Sequence, residues 1–432
     1  MRSPASPNMV RWLDRESTAV ASFGSLLECD DRGGHLQSDS ISFCFTERVP
    51  GAQDVASGCA FGGHEFIDLA NDEIFQSLSL AHERATVTVD SGASGVLDPI
   101  GLMPLRKAIA ERLAAQTGFD WSAEEIAITA GSKEALLCAG LAVLERGDEV
   151  IIIRPWQPFV PALVHAAGAV PVFVDAQRPR YTPDVNSIRA AITSRTKAMI
   201  INSPNNPTGA VYSRTTLQEV GELAIEFRIW IISDERYSRL VFTGLHRHES
   251  IVVAHPAVRS RTIMVNPCSQ ALEISGSRLG YFAAPRAIVS AARKLQGYAA
   301  MIPSREAQQA TLSHFQVGGR IERETYQRLF DARDIGLNIL SNLRDVTPPR
   351  ADGALFFYLD LNRLASALKD EGRVGVTDDV ASWLLKQTNV ACVAGDAFGD
   401  VNGLRLSFGA PPGASAIGLT RVVQALNSLR IK

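Results

Sequence analysis

The sequence has little of what marks several protein classes. Its six cysteines form no Cys-x-x-Cys pair and its eight histidines no His-Glu-x-x-His motif, so neither a disulfide scaffold nor a structural metal site is expected. Its 43 basic and 46 acidic residues leave a formal net charge of −3, without the basic excess typical of nucleic-acid or membrane-surface binders. Apolar runs such as 149–153 are strand-sized, far below the roughly 20 residues that span a bilayer.

The N-terminal residues lack the basic start and apolar stretch of a signal peptide, so we expect a cytoplasmic protein. The 432 residues are 46% hydrophobic, which is ordinary for a packed globular chain of two or three domains. Residues 1–63 are irregular and rich in Gly, Ser, Asp and Pro, which predicts an N-terminal arm.

From residue 100 onward, segments with helical periodicity alternate with short β-branched runs. Helices are predicted at 101–116, 132–145, 161–167, 187–193, 216–227 (with a Thr216/Glu219 capping box), 286–296, 305–343, 378–387 and from 414. Strands are predicted at 126–129, 149–153, 170–174, 198–201, 229–232, 263–265, 355–361, 390–393 and 404–408. This alternation predicts an α/β fold with a mostly parallel sheet.

Four polar motifs interrupt these elements where strands end. They are Thr129–Lys133, Asn202–Gly209, Ser233–Tyr237 and Asn266–Tyr281. Taken singly, each is also typical of plain turn or helix-capping chemistry. The first precedes a helix, whose free N–H groups favour a phosphate, and the third places a carboxylate where open α/β sheets bind ligands.

In this order and spacing the motifs resemble the class I/II aminotransferases, the fold type I family that uses pyridoxal 5′-phosphate (PLP). The resemblance covers about residues 65–430. The family's Asn-Pro-x-Gly turn matches Asn206–Gly209, and its Asp-x-x-Tyr matches Asp234 and Tyr237. The segment Gly403–Phe408 resembles the one whose arginine holds the substrate α-carboxylate, and Phe66–Asn71 weakly resembles the entry to the substrate pocket.

The resemblance implies a large cofactor domain at 96–314 with helices on both sides of the sheet. It also implies a smaller α+β domain from 64–95 and 315–432, a homodimer, and a small amino or keto acid as partner. Asp234 would keep the PLP ring nitrogen protonated, and Asn206 and Tyr237 would donate to its phenolic oxygen. The phosphate would be held by Ser132, Lys133, Ser269 and Arg278. The substrate carboxylate would be held by Arg405, with Asn206 beside it.

The family's defining lysine, which bonds covalently to PLP and moves the substrate proton, falls on Gln270. Glutamine can do neither, and no lysine occurs between Lys197 and Lys294. Tyr237 is one alternative base, and Lys133 is an alternative amine of lower weight.

Three further positions depart from the family pattern. A phosphate-binding serine falls on Pro267, which also lacks an N–H, and a tyrosine that reaches the neighbouring subunit's phosphate falls on Val96. The aromatic residue that stacks on the cofactor ring falls on Gln157, although Trp156 or Phe159 could substitute for it.

Three explanations stay open. In the first, Gln270 is an engineered change that traps an intermediate. In the second, the chain is a natural divergent member that binds PLP or its amine form non-covalently. In the third, the fold is repurposed without PLP as a different catalyst or a binding protein. The six retained residues favour an aminotransferase-like protein, with a non-transaminating member as the alternative. These residues are Asn206, Asp234, Tyr237, Ser269, Arg278 and Arg405.

Overall fold

The computed structural model describes residues 65–72, 74, 98–244, 247–268, 278–299, 303–317, 320–364 and 377–429. The predicted arm at 1–63 and Val96 lie outside these residues. Within these ranges, no helix has both the length and the apolar character needed to cross a bilayer. The division into domains at 96–314 and 315–432 stays a prediction.

Strands and helices alternate along most of the described chain. The strands are β1 (Ile67–Asp68), β2 (Ile126–Thr129), β3 (Glu149–Arg154), β4 (Val170–Asp175), β5 (Thr196–Asn202), β6 (Trp230–Asp234), β7 (Thr262–Pro267), β8 (Gly280–Ala283), β9 (Phe356–Asp360), β10 (Val390–Ala391), β11 (Val393–Ala394) and β12 (Gly403–Ser407). The α-helices are α1 (Met103–Thr117), α2 (Ser132–Val143), α3 (Phe159–Ala166), α4 (Val185–Ala191), α5 (Arg214–Glu226), α6 (Ile251–Ala254), α7 (Arg286–Tyr298), α8 (Arg305–Val317), α9 (Arg320–Leu340), α10 (Thr377–Thr388) and α11 (Pro412–Asn427). Short 3-10 turns lie at Ala123–Glu125, Pro256–Arg261 and Gly395–Phe398.

The central sheet has seven strands in the order β2-β8-β7-β6-β5-β3-β4. Strands β3 to β7 pair in parallel, whereas β8 runs antiparallel to both of its neighbours, β2 and β7. The predicted mostly parallel sheet is therefore confirmed. In such a sheet the carboxyl ends of the parallel strands meet at one edge, where ligands bind in open α/β folds.

Alternating side chains of the central strands enter two separate cores. Ile151 and Ile153 of β3 pack on one face with the cluster that includes α1 and α5 residues. Val150 and Ile152 face the other side, in the cluster that contains Leu136 of α2 and residues of α7. Burial on both faces explains why these strands read as continuous apolar runs in the sequence.

A third core joins the C-terminal part of the chain to β1. Strands β11, β12 and β9 form an antiparallel sheet, and β1 pairs in parallel with β10. Phe356 and Phe357 of β9 and Leu404 and Leu406 of β12 are fully buried there against α9, α10 and α11. This core positions the segment that carries Arg405.

Three predictions of local structure were wrong. Helix α5 begins earlier than expected, because the Ser213 hydroxyl, and not Thr216, caps it by accepting the Thr216 N–H at 3.1 Å. The single helix predicted at 305–343 is two helices, α8 and α9. Strand β8 (Gly280–Ala283) was missed because its first two residues belong to the polar motif Asn266–Tyr281.

Candidate active site

The predicted polar residues converge at the carboxyl edge of the central sheet. Asp234 is the last residue of β6, Asn206 lies in the turn after β5, Gln157 follows β3, and Ser132 begins α2 directly after β2. All four side chains are buried. Loops after separate strands thus place these groups together, as the fold class predicts.

The Asp234 carboxylate has two partners within the protein. Its Oδ1 accepts the Arg236 backbone N–H at 3.1 Å, and its Oδ2 accepts the Gln157 side-chain amide at 2.5 Å. Burial raises the pKa of Asp234, and the charge of Arg236 and these hydrogen bonds only partly oppose that effect. Gln157, expected at the ring-stacking position, is therefore bound to the carboxylate expected to hold the ring nitrogen.

Asn206 links Tyr237 to Arg405. Its amide donates to the Tyr237 hydroxyl at 3.4 Å, and its carbonyl accepts from Arg405 Nη1 at 2.9 Å. Burial, reinforced by the charge of Asp72, raises the pKa of Tyr237 to about 12. Tyr237 therefore keeps its proton at neutral pH and is a hydrogen-bond donor there, which argues against its use as a base.

Arg405 is 6% exposed and is held from several sides. Its Nη2 donates to the Ala70 carbonyl at 2.5 Å, and its guanidinium lies 4.4 Å from the Phe356 ring centroid and 5.1 Å from that of Phe398. Desolvation lowers the pKa of Arg405, but a guanidinium group keeps its charge at neutral pH. Its position and charge suit a carboxylate ligand.

The turn between β2 and α2 forms a narrow cradle. Gly131 has φ +94°, a conformation that glycine adopts without strain, and it directly precedes Ser132 and Lys133 in the first turn of α2. An added Cβ at Gly280 would lie 2.5 Å from the Gly131 carbonyl carbon, so β8 packs directly against this turn. Arg278 Nη2 lies 3.7 Å from the Cβ position of Gly131, which adds a cation to a predicted phosphate site.

The aromatic side chains near Gln157 take other positions. Trp156 stacks on Phe173, with ring centroids 4.2 Å apart. Phe159 lies beneath two cations, with its ring centroid 5.0 Å from Lys133 Nζ and 5.6 Å from the Arg236 guanidinium carbon. Lys133 therefore contacts an aromatic face in this structure.

Sequence reasoning missed Arg236 and Asp72. Arg236 is buried, its Nη1 lies 3.6 Å from Asp72 Oδ2, and its guanidinium interacts with the Tyr237 hydroxyl. The only signal available was position, since Arg236 stands inside the Asp234–Tyr237 motif and Asp72 follows the pocket-entry segment. Nothing in either residue type identified it as part of the site.

Ser269 and Gln270 lie outside the described residues, so the structure does not place them. The structure describes the chain that leads to them. Pro267 ends β7, and the Cys268 N–H donates to the Leu279 carbonyl at 3.0 Å. Pro267 therefore stands at the same sheet edge as Asp234.

Comparison with known proteins matches this arrangement. The family model "Aminotransferase class I and II" matches residues 67–425. An aspartate aminotransferase of Geobacillus stearothermophilus is 32% identical over 351 residues, 80% of this chain and 87% of that protein. The aspartate/prephenate aminotransferase of Thermus thermophilus is 33% identical over 346 residues, 78% of this chain and 85% of that one.

The chain belongs to the class I and II aminotransferase family. Its fold is similar to that of the Thermus thermophilus aspartate aminotransferase solved with maleate, with a TM-score of 0.75 and 27% identity over 99% of this chain and all of that one. It is similar also to an aromatic aminotransferase from Pyrococcus horikoshii, with a TM-score of 0.75 and 27% identity over 84% and 96% of the two chains. The fold type I architecture is thus confirmed, and members of this family use PLP.

Three buried polar atoms around the aminotransferase site test whether a polar cofactor fits this chain. Gln157 Oε1, Arg236 Nε and Arg405 Nε have no hydrogen-bond partner among the described residues. Unpaired buried groups of this kind are costly, so they are consistent with a ligand that supplies donors and acceptors. Together with the cradle at Gly131, they make the residues present a fit for a phosphate-bearing, polar-edged cofactor.

Proposed function

We propose that this aminotransferase-family chain binds PLP or its amine form, pyridoxamine 5′-phosphate, without a covalent link. With that cofactor it acts on a small amino or keto acid by nitrogen-group transfer or related chemistry at the α-carbon. The hydrogen-bonded chain from Arg405 through Asn206 to Tyr237, beside Asp234, carries this proposal. It supplies a carboxylate-binding cation and cofactor-binding donors in one buried cluster.

Each end of the cofactor has residues of this chain to hold it. Asp234 would face the ring nitrogen, while Asn206 and Tyr237 would donate to the phenolic oxygen. The phosphate would be held by Ser132, Lys133, Ser269 and Arg278. When bound, the cofactor supplies an electron sink for charge that develops at the substrate α-carbon.

The chain's own contribution is binding and orientation. Arg405 would hold a substrate carboxylate through the edge that carries its unpaired Nε. Tyr237 keeps its proton at neutral pH, so it would position an oxygen by donation. Gln270 has no basic nitrogen, so it would not accept a proton that leaves the α-carbon.

One observation favours the alternative of a non-transaminating member. Gln157 already occupies Asp234 Oδ2, the oxygen that a ring nitrogen would otherwise approach. A cofactor whose ring nitrogen bears a proton would have to replace this contact or share the carboxylate with it. In the alternative, that contact persists and the site binds a different polar ligand.

Cofactor titration of the purified chain separates the two functions. We expect saturable binding of both cofactor forms, followed by absorbance and calorimetry and fully reversed by dialysis. Asp234→Asn should weaken binding at least about tenfold, because a charged partner of the ring is lost. The control Asp175→Asn, at an exposed carboxylate paired with Arg154, should bind like the parent. Absence of binding by both forms would favour the repurposed fold.

We also propose a homodimer, as the family resemblance implies, and a cytoplasmic location. Sedimentation velocity across a range of concentrations tests the first proposal. A species of twice the chain mass supports it, and a monomer at all concentrations contradicts it.

A further inference from the structure

A carboxylate stands at the site where a substrate carboxylate is proposed to bind. Asp72 Oδ2 lies 3.6 Å from Arg236 Nη1, and the two side chains are 39% and 7% exposed. Asp72 follows directly on the segment whose Ala70 carbonyl accepts from Arg405. The same short stretch of chain therefore holds Arg405 through Ala70 and carries, two residues later, the acid that pairs with Arg236.

The charge of Asp72 reaches both Arg405 and Tyr237. Desolvation lowers the pKa of Arg405, and the charge of Asp72 is the largest of the effects that oppose it, ahead of that of Asp68. Asp72 is also the main charge that raises the pKa of Tyr237. The charge of Asp72 therefore acts on both groups, although its side chain is 39% exposed.

The two buried guanidinium groups of the site differ in what they can still bind. Desolvation would lower the pKa of Arg236. Its interactions with Tyr237, Asp234 and Asp72 outweigh that effect and raise the pKa. Arg405 is fixed by neutral groups, the Asn206 carbonyl and the Ala70 carbonyl. Arg236 thus pairs with an internal carboxylate, whereas the hydrogen-bond partners of Arg405 are neutral and leave its charge for an external carboxylate.

We propose that Asp72 is a specificity-determining residue that restricts the substrate to amino or keto acids with a single carboxylate. This inference rests on the proposed function of Arg405. A ligand's first carboxylate pairs with Arg405, and a second one meets Asp72, while Arg236 is already paired. Because like charges in a partly buried site repel, a neutral or amide-bearing side chain binds better than a carboxylate of the same shape.

Two unreactive ligands of nearly equal shape test the proposal. Succinate has two carboxylates, and succinamate has one carboxylate and one amide. Their dissociation constants are measured by calorimetry on the full chain in saturating pyridoxamine 5′-phosphate. We expect succinamate to bind about tenfold more tightly than succinate, the scale of one screened charge repulsion.

Variants assign the preference to Asp72. Asp72→Asn should tighten succinate binding and bring the two constants within about threefold. The matched control Asp68→Asn, on the same segment, should keep at least half of the original ratio, because its charge acts less on Arg405. Equal or tighter binding of succinate by the parent chain overturns the proposal, and so does an unchanged ratio in Asp72→Asn.

The failure of the underlying function has a different signature. If Arg405 does not hold carboxylates, Arg405→Gln leaves the binding of succinamate unchanged, or neither ligand binds the parent chain. Either result overturns the proposed function together with the role of Asp72. If Arg405→Gln weakens succinamate binding while the ratio of the two ligands is near one, only the role of Asp72 is overturned.

Discussion

The Gln157 amide donates a 2.5 Å hydrogen bond to the Asp234 carboxylate, and both side chains are buried at the carboxyl edge of the sheet. Burial raises the pKa of Asp234, and the neutral Gln157 amide opposes this effect by donating to the carboxylate. The pair joins Gln157, which departs from the family's cofactor contacts, to Asp234, which is retained.

Loss of this hydrogen bond should destabilise the chain. Gln157→Leu leaves a buried carboxylate oxygen without its donor, and we expect the free energy of unfolding at pH 8 to fall by about 1–3 kcal/mol. Gln157→Glu should cost more, since it sets a second carboxylate against Asp234. Urea unfolding measures both variants. Equal stability of the Leu variant and the parent would show that the contact contributes nothing.

Asp234 should make stability depend on pH in a definite direction. Because its pKa is raised on folding, the folded chain binds this proton more tightly than the unfolded chain. Its contribution to stability is therefore fully present below the unfolded value of about 3.9 and is lost as pH rises through the raised folded value. Asp234→Asn should flatten the stability profile above pH 4 relative to the parent. Parallel profiles in urea unfolding would contradict this.

Close approach of β8 to the turn before α2 should make Gly280 intolerant of any side chain. An added Cβ would lie 2.5 Å from backbone atoms of Gly131 and Ser132, so Gly280→Ala must displace the cradle. We expect a loss of about 1–3 kcal/mol in stability and weaker binding of pyridoxamine 5′-phosphate. The control Gly413→Ala, with open space around its Cβ, should match the parent in both measurements. Unchanged cofactor affinity in Gly280→Ala would contradict the assignment of this turn to the phosphate.

Restoring a lysine at position 270 should restore covalent attachment. Gln270→Lys supplies the amine that the family pattern has there, and the retained Asn206, Asp234 and Tyr237 would hold the cofactor beside it. Borohydride reduction followed by peptide mass analysis should find the reduced cofactor on residue 270 of the variant and on no residue of the parent. A labelled Lys133 in the parent would instead give that lysine the covalent role. No labelling in either protein favours a repurposed site.

Sequence patterns were sufficient for the main framework of this fold. Strands buried on both faces read as unbroken apolar runs, so the parallel core from β3 to β7 was predictable. Strand β8 was missed because it begins inside the polar motif Asn266–Tyr281, and the division between α8 and α9 was missed although Gly318 and Gly319 mark it in the sequence. The helix cap was predicted at Thr216 and lies at Ser213, because Thr216 and Glu219 also form a Thr-x-x-Glu pattern that is typical of a helix start.

Only those residues of the site that stand in a sequence motif could be predicted. Asn206, Asp234, Tyr237 and Arg405 stand in recognisable motifs, and the structure brings the side chains of Asn206, Tyr237 and Arg405 into contact. The Gln157–Asp234 contact joins residues 77 positions apart, and no spacing rule connects them.

Arg236 and Asp72 were missed for a related reason. Their pairing depends on how the pocket-entry segment packs over the end of β6, and that is a tertiary relationship.

A crystal structure of the purified chain grown with pyridoxamine 5′-phosphate tests the central claim most directly. We expect the phosphate at the Gly131–Lys133 turn, Asn206 and Tyr237 at the phenolic oxygen, and no covalent bond between the cofactor and the protein. A chain that stays free of cofactor at saturating concentration, with Gln157 still bound to Asp234, would contradict it.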